Sequence, residues 1–368
     1  MSLEWRCRAI ALLESEGKRS ADTNLLELPL EGFDNIDCYL KDESSHPTGS
    51  LKHRLARSLF LYGICNGQIQ QGTMLVEASS GSTAVSEAYY ARLLGLDFCA
   101  VLPRNTSTSK VEAITRQGGR CHFVDDPATM YQVAEDLAHA SGGYYLDQFT
   151  FAERATDWRS NNNIAESIFK QMENERHSVP RWIVMSAGTG GTSATLGRYI
   201  RYRCLATQLC VPDVEFSAFY AGWSDGDRAA TSSRPSRIEG IGRPRVEKSF
   251  IPGVVDAMVQ VTDAASLAGM MVLTKLLGRR VGASTGTNFI GLLWTAAAMR
   301  RAGEAGSLVT LICDSGERYA DSYFDANWLA AQGFDLAPQI AMIEATIAGA
   351  EFAPALLLQA PNGTRHAA

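Results

Sequence analysis

The chain has 368 residues, 46% of them hydrophobic and 20% charged, with 34 Lys and Arg against 40 Asp and Glu and a formal net charge of −6. That length and apolar content allow two domains, each with its own core. The acidic balance, without any long basic run, speaks against a nucleic-acid surface, and no uninterrupted apolar stretch reaches membrane-spanning length.

At the N-terminus, Glu4, Arg6 and Arg8 interrupt the basic–apolar–small order of a signal peptide at once. The first informative segment is His46-Pro47-Thr48-Gly49-Ser50-Leu51-Lys52-His53-Arg54. Pro47 and Gly49 punctuate a loop, and Leu51 to Asn66 has apolar residues at helical spacing, so Lys52 stands at the mouth of a helix. A lysine there, with Ser50 and backbone N–H groups nearby, suits an aldehyde cofactor carrying a phosphate. Its amine can form a Schiff base and, once freed, move protons. A surface lysine at a helix start is the commoner reading of such a segment, and the rest of the chain decides between them.

Short apolar runs then alternate with helical patterns. Strands are expected at Thr73 to Glu77, Phe98 to Leu102 and Arg120 to Val124. Helices are expected at Thr83 to Leu94, Ser107 to Gln117 and Ala128 to Ser141. After the polar stretch Arg154 to Asn163 the alternation resumes. Trp182 to Ser186, Val214 to Tyr220, Ala257 to Val261 and Leu308 to Cys313 read as strands. Thr192 to Leu205, Ala264 to Leu277 and Thr287 to Ala302 read as helices, and Gly222 to Arg237 as an exposed loop. Beyond Leu336 come one apolar helix and a polar tail ending in Asn362-Gly363-Thr364. Strands spaced by helices imply βαβ crossovers, hence α/β architecture with two open, twisted, mainly parallel sheets flanked by helices.

In such sheets ligands collect at the carboxyl ends of strands, and Ser/Thr/Gly turns recur there. Glu77-Ala78-Ser79-Ser80-Gly81-Ser82-Thr83-Ala84 offers hydroxyl and N–H groups fit for a substrate carboxylate; an ordinary helix cap is the equal alternative. Ser186-Ala187-Gly188-Thr189-Gly190-Gly191-Thr192 lets the backbone approach a phosphate at a helix N-terminus. It lacks G-x-x-x-x-G-K-[ST], so a dianionic cofactor phosphate fits better than a nucleotide. Ile238-Glu239-Gly240-Ile241-Gly242-Arg243 alone reads as a structural turn, with Arg243 and Arg245 either surface charges or guides for an anionic substrate. Gly282-Ala283-Ser284-Thr285-Gly286 matches G-x-S-x-G, but the only histidine after Ser284 is His366, which argues against a serine hydrolase on chain order. The eight cysteines contain no C-x-x-C pair and the six histidines are dispersed, so they read as small hydrophobes in a reducing cytoplasm and no metal site is expected.

Together these segments resemble the cysteine synthase and cystathionine β-synthase family of pyridoxal-phosphate enzymes, from about Leu28 to Tyr323 and in the family's order. Glu43 to Arg54, Glu77 to Glu87 and Glu239 to Glu247 are similar in wording to its L-cysteine desulfhydrase branch. The resemblance implies the tryptophan synthase β-subunit-like fold, called fold type II, a homodimer, and pyridoxal 5'-phosphate as cofactor. It implies a larger cofactor-binding domain over 1–45 and 158–335, a smaller, mobile domain over 46–157 and an extension over 336–368. Lys52 would carry the cofactor covalently, and Gly188, Thr189, Gly190, Gly191 and Thr192 would hold its phosphate. Ser284 would lie against the pyridine nitrogen. Ser79, Ser80, Gly81 and Thr83 would bind the substrate carboxylate with help from Gln148, and Gly240 would sit near the bound amino acid. The family usually has asparagine where this chain has Ser82, a shorter contact to the cofactor's 3′-oxygen. The family's synthases also lack the insert Arg243 to Ser249 before Phe250-Ile251-Pro252-Gly253. The expected reaction is β-elimination on a cysteine-like L-amino acid to hydrogen sulfide, pyruvate and ammonia. β-Replacement, joining O-acetylserine and sulfide into cysteine, uses the same residues. A serine hydrolase and a non-catalytic sensor of the cofactor or an amino acid complete the alternatives.

Overall fold

A computed structural model of the chain describes residues 2–20 and 22–358. The tail ending in Asn362-Gly363-Thr364, and His366, lie outside the described residues. In chain order the elements begin α1 (Leu3–Arg19), β1 (Leu25–Glu27), β2 (Ile36–Asp42), α2 (Lys52–Cys65), β3 (Leu75–Ala78), α3 (Ser82–Leu94), β4 (Phe98–Pro103), α4 (Thr108–Arg116) and β5 (Arg120–Val124). Next come α5 (Met130–Ala140), β6 (Tyr144–Tyr145), α6 (Gln148–Ala155), α7 (Ile164–Met172), β7 (Trp182–Val184), α8 (Gly191–Tyr202), β8 (Gln208–Val214) and α9 (Phe219–Ser224). The chain continues with β9 (Ala257–Val261), α10 (Asp263–Leu277), α11 (Ala283–Ala302), β10 (Gly306–Ile312), α12 (Ala326–Ala331) and α13 (Ala337–Ile347).

The chain divides into two compact units, the smaller comprising Met1–Asp22 and Ser45–Asp157, the larger Thr23–Ser44 and the chain from Trp158 onward. The smaller unit holds a sheet of order β5-β4-β3-β6, parallel throughout, with Val76 opposite both Cys99 and Tyr145. Parallel neighbours need crossovers, and α3, α4 and α5 supply them. Strand alternation sends Leu75, Phe98, Ala100 and Leu102 into one core with α1, α2 and α3. It sends Val76, Ala78, Val101 and Val124 to the other face, against Ala134 and Ala138 of α5. Glu77 therefore shares Leu75's face and points toward the helical layer.

The larger unit holds a sheet of order β1-β2-β10-β7-β8-β9, parallel except for the antiparallel edge pair β1 and β2. Leu40, Val184, Cys210 and Val259 share a core with Leu267, Phe289 and Leu293 of α10 and α11. These two helices approach closely through small residues: a Cβ on Gly286 would collide with the Ser266 carbonyl and Met270 amide.

The expected strands Arg120–Val124 and Ala257–Val261 occur as read, and most helices start or end within a few residues of expectation. One strand lies earlier in the chain than its apolar run suggests. The apolar run over Val214 to Tyr220 is not a strand; the strand is Gln208–Val214, and Phe219 begins a helix. Pro212 and Asp213 look like breakers, yet Pro212 lies past the end of β7, which pairs only with Gln208–Cys210. Asp213 is capped by accepting the Tyr220 amide at 2.9 Å.

Two boundaries also differ. The first helix belongs with the smaller unit, not the larger, because Trp5, Ala9 and Leu13 pack into its core. The segment after 335 is no separate appendage as far as it is described. Leu336, Ile343, Phe352, Leu356 and Leu357 are buried in the larger core, and α13 packs on α10.

Candidate active site

Lys52 is the first residue of α2 and half-buried. Its approach is a tight turn: Gly49 has φ +73°, its amide donates to the His46 carbonyl at 2.8 Å, and the Ser50 hydroxyl accepts the Lys52 amide at 3.3 Å. Thr48, Ser50 and His53 around it are buried. The turn thus orders the lysine's backbone.

In the same unit, β3 runs into Ser79 and Ser80, and Gly81 caps α3, whose first residues are Ser82 and Thr83. A Cβ on Gly81 would meet nothing within 4 Å, so the loop's face there is open. Thr83 donates to Gln148 Oε1 at 2.7 Å, which brings together two residues 65 positions apart in the chain. Gln148 opens α6 behind Asp147, which adopts φ 45° and caps the helix by accepting the Thr150 amide at 3.1 Å. The Gln148 amide donates to Glu77 Oε2 at 3.2 Å, and the Ala78 amide to Glu77 Oε1 at 2.9 Å.

That last contact leads to a feature the motifs did not indicate. Glu77 and Glu87 are both fully buried and meet carboxyl to carboxyl, and apart from Glu77 neither oxygen of Glu87 has a hydrogen-bond partner. Burial pushes Glu77 up to about 8, against an ordinary 4.5. Burial first, and then the negative charge of Glu77, push Glu87 up, while Lys52 pulls it down. A glutamate one turn after Thr83, on a helix face otherwise made of Ala84, Ala88 and Ala91, was the available signal.

In the larger unit β7 leads into the loop Ser186 to Gly190, and Gly190, at φ +91°, caps α8. A Cβ on Gly190 would strike the backbone of Phe250, so only glycine lets the loop pass there. The first amides of α8 lack intrahelical acceptors; that of Gly191 is taken by Thr189 Oγ1 at 3.2 Å. The Ser186 hydroxyl is buried without a partner. Asn288 of α11 ties this loop down, accepting the Ser186 amide at 2.6 Å and donating to Leu311 O and Cys313 Sγ, each at 3.2 Å. Thr285 Oγ1 accepts the Cys313 amide at 3.0 Å.

Ser284 sits in the first turn of α11, buried, behind the cap Gly282. A nucleophile elbow needs its serine on the strand-to-helix turn itself, so this placement further disfavours a hydrolase. Gly240 has φ +86° and open space where a Cβ would be; two residues on, the Gly242 amide donates to the Ala187 carbonyl at 3.0 Å, tying this turn to the glycine loop. Arg243 and Arg245 both pair with the buried Glu247 at 3.1 Å, which binds the insert internally. The structure therefore gathers Lys52, Ser79 to Thr83 and Gln148 within the smaller unit, and Gly188 to Thr192, Gly240 and Ser284 within the larger. Among the described residues no cluster of His, Cys, Asp and Glu could hold a metal, and no helix is long and apolar enough to cross a membrane.

Residues 19–314 match the family model described as pyridoxal-phosphate dependent enzyme. The L-cysteine desulfhydrase Cds1 of Mycobacterium tuberculosis is 59% identical over 349 residues, covering 94% of this chain and 95% of that protein. A putative pyridoxal-phosphate dependent protein of Caenorhabditis elegans is 30% identical, covering 89% of this chain and 81% of that one. In fold, the crystal structure of an O-ureido-L-serine synthase superposes with a TM-score of 0.72 at 24% identity, over 87% of this chain and 98% of that one. With the family match spanning most of the sequence, the chain belongs to the pyridoxal-phosphate dependent enzymes.

Proposed function

We propose that the chain is a carbon–sulfur lyase that removes the β-substituent of L-cysteine, releasing hydrogen sulfide, pyruvate and ammonia. The observation that carries this reading is the 59% identity to an L-cysteine desulfhydrase along nearly the full length of both chains. The residues also fit the cofactor. The glycine-only passage at Gly190, the buried, unpartnered Ser186 hydroxyl and the open amides of α8 form a cradle suited to a phosphate dianion.

Lys52 would hold the cofactor through its amine, Gly188 to Thr192 its phosphate, Ser284 its ring nitrogen, and Ser82 would approach its 3′-oxygen. When bound, the group supplies an electron sink for charge developing at the substrate's α-carbon. The loop Ser79 to Thr83 receives the substrate carboxylate, with Gln148 held in register by Thr83 and Glu77. Gly240 leaves room beside the amino acid. Once the substrate's amine has taken its place, Lys52 Nζ, freed and neutral, would take the α-proton; the sulfur then leaves the β-carbon as hydrosulfide, and one water supplies the oxygen of pyruvate as the nitrogen leaves as ammonia. A homodimer is part of the proposal, supported by the family resemblance. So is a reducing cytoplasmic setting, supported by the eight free cysteines, four of them buried. Sedimentation of the purified protein tests the first.

The decisive experiment incubates the holoenzyme with L-cysteine alone and with O-acetylserine plus sulfide. Sulfide and pyruvate from the former support elimination; cysteine from the latter alone would transfer the assignment to β-replacement. Labelling of Ser284 by a fluorophosphonate would favour a hydrolase, and cofactor binding without any product would favour a sensor. Lys52→Ala is expected to lose both the cofactor's visible absorbance and turnover, and retained turnover would refute the role of Lys52.

A further inference from the structure

His53, the residue after Lys52, lies at the centre of a buried hydrogen-bond chain that the reaction above leaves unused. On one side its Nε2 is 3.0 Å from Glu16 Oε1 of α1, and the Tyr90 hydroxyl is 2.8 Å from both Glu16 Oε2 and His53 Nε2. On the other, Nδ1 is 3.2 Å from Thr48 Oγ1, which is 2.8 Å from Ser86 Oγ. Ser86 in turn donates to the carbonyl of Ser82 at 2.9 Å. Glu16, Thr48, His53, Ser86 and Tyr90 are all buried.

The far end of the chain sets the order of its protons. A carbonyl only accepts, so Ser86 gives its single hydrogen to Ser82. Its oxygen must then accept from Thr48, whose hydrogen is thereby used, and Thr48 must accept from Nδ1–H. Tyr90 gives its hydrogen to Glu16 Oε2, so the contact between Nε2 and Oε1 needs a hydrogen of its own. Glu16 also accepts from Ser20 at 3.0 Å and Tyr89 at 3.3 Å. Although burial opposes its charge, the bonds from His53, Tyr90 and Ser20 lower its pKa to about 2. With three hydroxyl groups already donating to this carboxylate, the hydrogen between Nε2 and Oε1 is supplied by the ring. Burial above all, with the stacked His46 at 5.0 Å and Arg57 on α2, draws the His53 pKa below its ordinary 6.5 against the bond and charge of Glu16; the hydrogen count of the network, which requires a hydrogen at both ring nitrogens, runs the other way and decides the ring's state, with Tyr89 and Tyr90 the other titratable groups facing the ring.

We propose that Glu16, which precedes the family match, is a positioning residue: by accepting from Nε2–H it keeps Nδ1–H of His53 directed at Thr48, and this direction of the chain locks the first turn of α2, beginning at Lys52, to the first turn of α3, beginning at Ser82. The consequence for catalysis rests on Lys52 carrying the cofactor; the proton order does not.

The test uses holoenzyme labelled with ¹⁵N-histidine, with the His53 signals assigned from His53→Asn. Both ring nitrogens are expected to be protonated at about pH 7. In Glu16→Gln the ring becomes neutral and keeps Nδ1–H, because the glutamine amide can donate to Nε2 and preserve the chain's direction. Glu16→Ala is expected to lower kcat roughly tenfold to a hundredfold with little change in KM. Glu16→Gln restores most of that loss. A singly protonated His53 in the wild type, an unchanged kcat in Glu16→Ala, or no rescue by glutamine each overturns the proposal. Should Glu16→Ala fail to fold, the wild-type and Glu16→Gln spectra still decide. Turnover retained in Lys52→Ala would sink the catalytic reading while leaving the His53 spectrum as a test of the relay.

Discussion

At the residue scale, Gly190 is the position with least freedom in the glycine loop. Its φ of +91° costs any other residue about 1–3 kcal/mol, and a methyl group would also press on the Phe250 backbone. Gly190→Ala is expected to displace the loop and weaken cofactor binding by roughly tenfold or more, read by titrating cofactor absorbance; wild-type affinity would mean the loop has other room to move. Ser284 and Lys52 illustrate two degrees of legibility. Lys52 stood out because a loop with Pro47 and Gly49 delivers it to a helix start, and the structure places it there. Ser284 came from a pattern that also fits hydrolases, and only the helix beginning at Ala283 shows that it lies inside a first turn. Gln148 had no local signal at all: its partner Thr83, 65 positions away, is reached only through the fold of the smaller unit.

At the scale of elements, β3 and α3 together bury an acid pair, Glu77 and Glu87, on either side of the Ser79 to Thr83 loop. A carboxyl whose folded pKa is raised keeps its proton longer than the unfolded chain does. Its stabilising effect is therefore complete below 4.5 and fades as pH rises toward about 8, the value for Glu77. Thermal unfolding of the wild type should accordingly show stability falling across that window. Glu87→Leu, similar in size and without a second buried carboxyl beside Glu77, is expected to flatten this slope and to stabilise the protein at pH 8 by about 1–3 kcal/mol. Lower stability at pH 8 would show that the charge of Glu87 is satisfied by Lys52. The helix α1 carries comparable weight in the smaller core. Leu13 is fully buried, so Leu13→Ala is expected to cost about 2–5 kcal/mol in denaturant unfolding. Glu4, Arg6, Arg8, Glu14 and Glu16 give this helix the sequence pattern of an exposed segment, although Glu16 is turned inward.

At the scale of the whole molecule, two sheets with separate cores carry the two sets of site residues. Calorimetry of the cofactor-free chain is expected to resolve two transitions, and added cofactor to raise the one belonging to the glycine loop; a single transition with equal calorimetric and van't Hoff enthalpies would count against independent cores. Much of this architecture was readable from local pattern: alternation of apolar runs and helical periods, with Ser/Thr/Gly turns after the strands, comes from backbone geometry that acts over a few residues. The place of the lysine at a helix start, both Ser/Thr/Gly turns ahead of helices and the parallel α/β class followed from that. What packing alone decided is non-local: the strand at Gln208–Val214, tolerated because β7 ends before Pro212; the membership of α1 in the smaller unit; and the buried pair Glu77 and Glu87. A buried charge or a proline in a strand is acceptable only where neighbours distant in sequence leave or supply the right partner, and no window of consecutive residues contains that information.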